Sequence, residues 1–398
     1  MQIIEIGKLL IYEQPSKYIV KSTEYDDNYA IPVLTAGKTF ILGYTDETDN
    51  VFDKLPVIIF DDFTTATKYV DFKFKVKSSA MKILHINQEL VLPKYIFYRL
   101  QTINIDHSTH KRYWIQQYSK IKITIPTIPE QERIVKQIEE SMSQLDSAVA
   151  TLKKTKQQLE IYRQAVLKEA FQGKLSSHRP VSCSLSFLSS QESNNYPPIA
   201  NEWKYIKLSC LGELARGKSK HRPRNDRKLF ENGKYPFVQT GDVKKSDKYI
   251  TDYENMYGDF GLQQSKLWKK GTLCITIAAN IAETAFLGMD ACFPDSIVGF
   301  LPSEYVLPEY IRYFIESQKV RLWAFAPATA QKNINLKTLE NLVIPYCSIE
   351  EQAEIIKIVD EKMSVCDRIK QVINQSLQQA EALRQSILKQ AFEEDKNV

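Results

Sequence analysis

The sequence predicts a tandem of two mixed α/β (α+β) globules separated by a pair of long antiparallel helices, the halves related by a pseudo-two-fold internal repeat. Three observations predict it. A 42-residue segment at 130–171, opening EQERIVKQIEESMSQLD, returns without a gap at 351–392 as EQAEIIKIVDEKMSVCD and its continuation. Neither copy contains an internal Pro or Gly, and each follows an Ile-Pro, Ile125-Pro126 and Ile344-Pro345. Weaker echoes lie upstream, LPKYIFYRL (92–100) against LPEYIRYFI (307–315) and IPVLTAG (31–37) against YPFVQTG (235–241). The offsets drift between 204 and 221 residues, so the halves share a plan and differ by insertions. A chain of 398 residues is also too long for one ordinary core.

Taken in order, residues 1–126 form the first globule, with KITIP (122–126) as a strand and a helix around Tyr95–Leu100. Residues 127–173 form the first long helix. Its positions Ile138, Met142, Leu145, Val149, Leu152, Leu159 and Val166 belong to a series stepping by three and four, the spacing of a seam for another helix. Gly173 is placed to cap its C-terminus. Residues 174–200 hold eight serines and three prolines within 176–200 and no periodicity, so they read as a connector with little regular structure. Residues 201–346 form the second globule, with TLCITIAA (272–279) as a strand and a helix around Tyr310–Ile315. Residues 347–398 form the second long helix and a C-terminal tail, with Val359, Met363, Ile373, Leu377 and Ile387 on its seam.

A helix of that length is a rod of roughly 60 Å whose apolar stripe needs a partner. Two tandem copies meet symmetrically only if the chain doubles back, which predicts the antiparallel pair. The alternative is that each helix packs on its own globule. The globules themselves read as unlike in detail.

Composition narrows the class. Hydrophobic residues make 43% of the chain, charged residues 25%, and the net charge is +5, which permits a polyanionic partner without demanding one. The six cysteines (183, 210, 274, 292, 347 and 366) form no CxxC pair, so a disulfide scaffold or zinc site is not expected and a reducing cytoplasm is. Charges interrupt every apolar run of MQIIEIGKLLIYE, so no signal peptide is read there. No stretch reaches the roughly 20 apolar residues of a membrane span.

Two motifs point towards an ATPase. GELARGKS (212–219) has the spacing of a phosphate loop, and PVIIFDD (56–62) resembles an apolar strand ending in a magnesium-holding aspartate. A phosphate loop must open a helix, however, and KSKHRPRNDRK (218–228) has no apolar face and carries Pro223. The letters of Asn195-Tyr196-Pro197-Pro198 are those of an adenine-methyltransferase motif in the wrong order. Pro294-Asp295 opens a nuclease-like motif that no Glu-x-Lys completes. His107 and His110 sit three apart without a third metal ligand nearby. No catalytic signature is found, and no bound metal or cofactor is expected.

Charge and hydrogen-bonding capacity point instead to nucleic acid. Arg216, Lys218, Lys220, Arg222, Arg224, Arg227 and Lys228 face a single acid, Asp226, in a loop whose small polar residues, Ser219 among them, suit phosphate tracking. Thr64, Thr65, Thr67 and Lys68 in FDDFTTATKYV, with Lys38 and Thr39, supply donors for base edges or phosphates. His110, Lys111 and Arg112 form a basic aromatic loop with Tyr113 and Trp114. Gln331, Lys332 and Asn333 hold the corresponding place in the second half, and Gln239 and Thr240 follow its YPFV run.

IPTIPEQERIVKQIEE with QAVLKEAFQGKLS, and its later copy, resemble the specificity subunits of type I restriction–modification systems. AIPVLTAGKTFILGYTDETD (30–49), PVIIFDDFTTATKYVDF (56–72), WKYIKLSCLGELARGKS (203–219) and YPFVQTGDV (235–243) resemble their DNA-reading domains, so the similarity spans essentially the whole chain. The resemblance implies two target-recognition domains on an antiparallel helical spacer, each reading half of a bipartite asymmetric double-stranded DNA sequence. It implies no catalysis in this chain, two methyltransferase subunits docked on the helices, and two restriction/translocase subunits in the full complex. S-adenosylmethionine, ATP and magnesium then belong to those partners. One departure stands out: the second domain opens on a Trp203-containing preamble, while the first starts almost directly at Ile3. The first is either trimmed or completed by a C-terminal element. A helical scaffold without DNA contact and a phosphate-loop nucleotide binder are the other functions the residues leave open.

Overall fold

The computed structural model describes every residue except Met1, 36–38, 104–112, 178–180, Ser182, 326–332 and 394–398. The chain divides into two compact units, one of Met1–Lys154 with Ile373–Val398 and one of Thr155–Val372. Each unit therefore holds one globule, the start of one long helix or the end of it, and the opposite part of the other. The two helices run over Ile128–Ala170 and Ile349–Glu393, 43 and 45 residues.

In the first unit a four-stranded antiparallel sheet has the order Leu10–Glu13, Met81–Ile86, Val57–Asp61, Thr67–Val70. Val57–Asp61 is buried throughout, as a run of β-branched and aromatic residues at a sheet centre should be. A two-stranded ladder joins Gln2–Glu5 to Lys122–Ile125. The core takes Ile58, Phe60 and Leu84 from the sheet, Tyr95, Ile96 and Leu100 from the helix Pro93–Leu100, and Ile134, Ile138 and Met142 from the first long helix. It is closed by Leu388, Ala391 and Phe392, the end of the second long helix. The Phe392 ring meets Tyr95 edge-on at 5.4 Å, with the Arg99 guanidinium 5.2 Å from its centre. The first globule thus takes its closing residues from a C-terminal element.

The second unit repeats the arrangement. Its sheet runs Gly212–Arg216, Ile297–Pro302, Leu273–Thr276, Thr284–Leu287, with Tyr249–Ile250 added at the edge. The first four strands follow the same order as in the first unit, so the globules, unlike in sequence detail, share one topology. Phe171, at the end of the first long helix, packs edge-on against Tyr310 at 5.0 Å, beside Val166, Leu167 and Ala170. Phe171 and Phe392 stand at equivalent places in the repeat, as do the tyrosines they meet. The two Ile-Pro dipeptides do not: Pro345 pairs with Tyr205 inside its ladder, whereas Pro126 follows its strand.

Within the first unit Arg384 is bonded to Asp146; within the second Arg163 is bonded to Asp367, and Lys370 lies 2.9 Å from Glu160. In the second unit rising numbers on one helix meet falling numbers on the other, so the pairing there is antiparallel, and the same Arg–Asp pair is made once per repeat. Of the seam positions, Ile138, Leu145, Leu159, Val166, Val359, Met363 and Ile373 are buried, and Val149, Leu152, Leu377 and Ile387 are half-buried. Ile138, Val166, Val359 and Met363 belong to the globule cores, which wall them on a third side.

The Gln of each Glu-Gln pair fastens helix to globule. Gln131 is fully buried; its Oε1 accepts from the Leu92 N–H at 2.8 Å and its Nε2 donates to the Pro126 carbonyl at 3.0 Å. Gln352 does the same with the Leu307 N–H at 2.9 Å and the Cys347 carbonyl at 3.0 Å. Only the second repeat adds a buried Glu351, whose Oε1 accepts from the Trp203 indole at 2.9 Å and from Ser176 at 2.8 Å. The preamble is thereby tied down. Among its described residues the connector has one helical turn, Ser190–Ser193, capped reciprocally by Ser189 and Glu192.

Candidate nucleic-acid interface

GELARGKS is a strand and its extension. Gly212–Arg216 pairs antiparallel with Ile297–Pro302, and the next helical turn, Arg227–Leu229, comes only after ten intervening residues. Its two glycines serve close packing: a Cβ on Gly212 would stand 2.3 Å from the Leu301 carbonyl, and one on Gly217 2.3 Å from the carbonyls of Phe293 and Pro294. Backbone bonds from Gly217 to Ile297, Lys218 to Phe293 and Lys220 to Gln264 hold the segment extended. Without a loop wrapped around an empty anion cradle, the phosphate-loop reading falls. Asp61 and Asp62 are also committed. Asp61 accepts from the Phe63 N–H at 2.9 Å and the Thr64 hydroxyl at 2.7 Å, and Asp62 from the Trp114 N–H at 2.8 Å.

In the second globule the basic segment leaves this strand. Lys218 and Lys220 are exposed, Ser219 is buried, and Arg222 folds back so that its Nη1 donates to the carbonyls of Ser219 and His221 at 2.6 and 2.8 Å. Asp226 is bonded to His221 at 2.7 Å and to the Lys228 N–H at 3.1 Å. Those bonds hold its carboxyl below the usual carboxylate range. A second acid, distant in sequence, joins the loop: Asp295 accepts from Arg224 Nη2 at 2.8 and 2.9 Å, and its carbonyl accepts from Arg216 Nε at 2.8 Å. Arg216, Arg224 and Asn333 line one cavity of about 310 Å³, with Ile277–Ala279 of the neighbouring hairpin turn. Asn333 is bridged to Ala278 on that turn. In the short helix Thr240–Lys245, Asp242 accepts from the Gln239 N–H at 2.8 Å, and Lys244 reaches Asn280 at 3.2 Å.

In the first globule Thr64 and Thr65 form the turn between Val57–Asp61 and Thr67–Val70, the topological equivalent of the turn that carries Ala278. Thr65 has a φ of 61°, and its hydroxyl donates to the Thr64 carbonyl at 2.7 Å. Thr67 opens the next strand, Lys68 is exposed 5.9 Å from the Phe40 ring, and Thr39 is exposed. Lys38, His110, Lys111, Arg112, Gln331 and Lys332 lie outside the described residues. Trp114 is bonded to Asp62 on one hairpin turn, and Asn333 is bridged to Ala278 on the other. Among the described residues no three His, Cys, Asp or Glu side chains are grouped to hold a metal, and no helix is long and apolar enough to cross a membrane.

Sequence reasoning read Asp295 only as part of an incomplete nuclease-like motif and missed its bond to Arg224, a proximity between residues far apart along the chain that only folding creates.

The family profile described as Type I restriction modification DNA specificity domain matches residues 1–161 and 201–379. The chain is 33% identical over 381 residues to the Type I restriction enzyme EcoR124I/EcoR124II specificity subunit of Escherichia coli, covering 90% of this chain and 85% of that protein. It is 26% identical over 283 residues to the EcoKI specificity subunit of Escherichia coli strain K12, covering 69% and 58%. Among solved structures, a chain described under "Structural basis underlying complex assembly and conformational transition of the type I R-M system" shares the fold with a TM-score of 0.70 at 17% identity, over 98% of this chain and 97% of that one. The HsdS subunit from Thermoanaerobacter tengcongensis matches with a TM-score of 0.51 at 16% identity, over 98% and 96%.

Proposed function

Because the chain belongs to the type I restriction–modification specificity-subunit family, we propose that it is the DNA-reading subunit of such a complex. Each globule reads one half of a bipartite, asymmetric double-stranded target, and the helical pair sets the number of unread base pairs between the halves. The chain performs no catalysis. Two methyltransferase subunits dock on the helices and flip adenines out of the duplex for methylation with S-adenosylmethionine. Two restriction/translocase subunits join the full complex, where ATP and magnesium serve them.

One observation carries this reading: two globules with the same strand order present different side chains at equivalent hairpin turns, on a helical element that repeats without a gap. A common scaffold with divergent tips suits two different half-sites read in one way. Lys218 and Lys220, both exposed, fit phosphate contacts that position the domain and make its affinity salt-dependent. On the second long helix Val365, Ile369 and Val372 are exposed at spacings of four and three, an uncovered apolar stripe of the kind that marks a protein partner.

Genome-wide adenine methylation, read with and without this gene in a host with the active cognate methyltransferase, tests the proposal. Loss of one bipartite motif on deletion is the expected result. Unchanged methylation would remove DNA reading from this chain and favour a helical scaffold that gathers other subunits without touching the sequence.

A further inference from the structure

We propose that Arg216, together with Asp295, reads a G·C base pair in the half-site taken by the second globule, and that Gln14 holds the matching reading position in the first. This rests on the DNA-reading function above and names the position, the chemistry and the base.

The first support is the geometry of the cavity. Arg216 ends its strand, and the bond from its Nε to the Asp295 carbonyl fixes the plane of the guanidinium. Both Nη groups are left without a bonded partner among the described residues, and together they form the fork that matches O6 and N7 of guanine. Arg224 approaches the Asp295 carboxylate through one nitrogen only, Nη2. Lone pairs on that carboxylate stay open to the amino group of the paired cytosine. A phosphate fits this site poorly, because a carboxylate in the same cavity repels its oxygens. A G·C edge offers two acceptors and one donor, the complement of a guanidinium fork beside a carboxylate.

The second support is independent and comes from strand register. Glu13 pairs with Ile83 in the first sheet and Ala215 with Gly299 in the second. Ile83 and Gly299 are each the third residue of their strands, which begin at Met81 and Ile297. Gln14 therefore stands where Arg216 stands. Its Nε2 donates to the Ser79 carbonyl at 3.1 Å, two residues before Met81, as Arg216 donates to Asp295, two before Ile297. One backbone clamp thus holds a different donor in each globule, as two readers of different half-sites on one scaffold require. The Oε1 of Gln14 also accepts from Lys82 Nζ at 2.6 Å. One amide hydrogen and one lone pair remain, the pair that complements N7 and N6 of adenine.

The test uses the complete complex with its methyltransferase, carrying Arg216→Ala, Arg216→Gln, Arg216→Lys or Gln14→Ala. The readouts are long-read methylomes, the thermal melting of the purified chain, and the salt dependence of DNA binding. Arg216→Ala and Arg216→Gln are expected to lower the preference for G·C at one position of one half-site roughly tenfold or more, leaving the other half-site and the gap unchanged. Gln14→Ala is expected to relax one A·T position in the opposite half-site. The proposal is overturned by an unchanged motif, by relaxation of both variants in the same half-site, or by equal weakening on all sequences with a shallower salt slope, which marks a phosphate contact. Loss of all methylation in every Arg216 variant, with melting unchanged, also overturns it, since the side chain would then act without regard to base; Arg216→Lys, keeping charge and stem, guards against an alanine that merely unfolds. A failure of DNA reading itself is seen separately, as a motif in the parent strain that does not depend on this gene.

Discussion

Gln131 and Gln352 each place a neutral carboxamide in a fully buried site and bond it at both ends to main chain. Replacing either by Ala strands an N–H and a carbonyl that water does not reach, each worth about 1–3 kcal/mol. Gln352→Ala and Gln131→Ala are each expected to destabilise the purified chain by about 2–4 kcal/mol, read from urea denaturation; a change near zero would mean that the bonds are replaced by water or neighbours. The repetition of these glutamines was visible in the sequence, but their purpose was not, because their partners Leu92, Pro126, Leu307 and Cys347 are chosen by packing. The basic loop behaves differently. Its charge was plain from composition, while the sorting of its members came from folding: Arg222 is spent on its own carbonyls, Arg216 and Arg224 are held at Asp295, and Lys218 and Lys220 stay exposed. Lys218→Ala with Lys220→Ala is therefore expected to weaken binding on all DNA sequences and to reduce the salt slope by about two. An unaltered slope would place both lysines away from the phosphates.

At the level of elements, periodicity and the lack of Pro and Gly marked both long helices to within a few residues of their observed limits, Ile128–Ala170 and Ile349–Glu393. Two faces of the same helices escaped that reading. Their ends turn aromatic side chains onto globules, Phe392 onto Tyr95 in one unit and Phe171 onto Tyr310 in the other. A buried Phe cut to Ala costs about 3–5 kcal/mol, so Phe392→Ala and Phe171→Ala should each lower melting stability by that order, with proteolysis opening the unit that lost its ring. Equal sensitivity of both units to either change would refute this assignment of ring to unit. Strands were harder to see than helices. GELARG, Gly212 to Gly217, carries two closely packed glycines that imitate a loop, and the shared strand order of the globules is hidden because pairing in a sheet is non-local and tolerant of different side chains.

For the whole molecule, the proposed ruler has a direct test. Leu152 and Leu377 fall at the same level of the pair by the Asp146–Arg384 register. Seven residues of matched heptad inserted after each lengthen the rod by about 10 Å, near three base pairs at about 3.4 Å per step. The methylated motif should keep both half-sites and widen its gap by about three; an unchanged gap would separate spacing from helix length. The duplication, the length and seam of the helices and the basic character of the second globule's loop are legible in the chain alone, because each of these is written in local period, composition or repetition. The tertiary structure alone decided that each globule is finished by the end of the other half's helix, that Asp295 enters the arginine cluster, and that Gln14 and Arg216 share a position. Those facts depend on which distant segments are brought within a few ångströms, and a linear pattern holds no distance between residues that only packing makes neighbours.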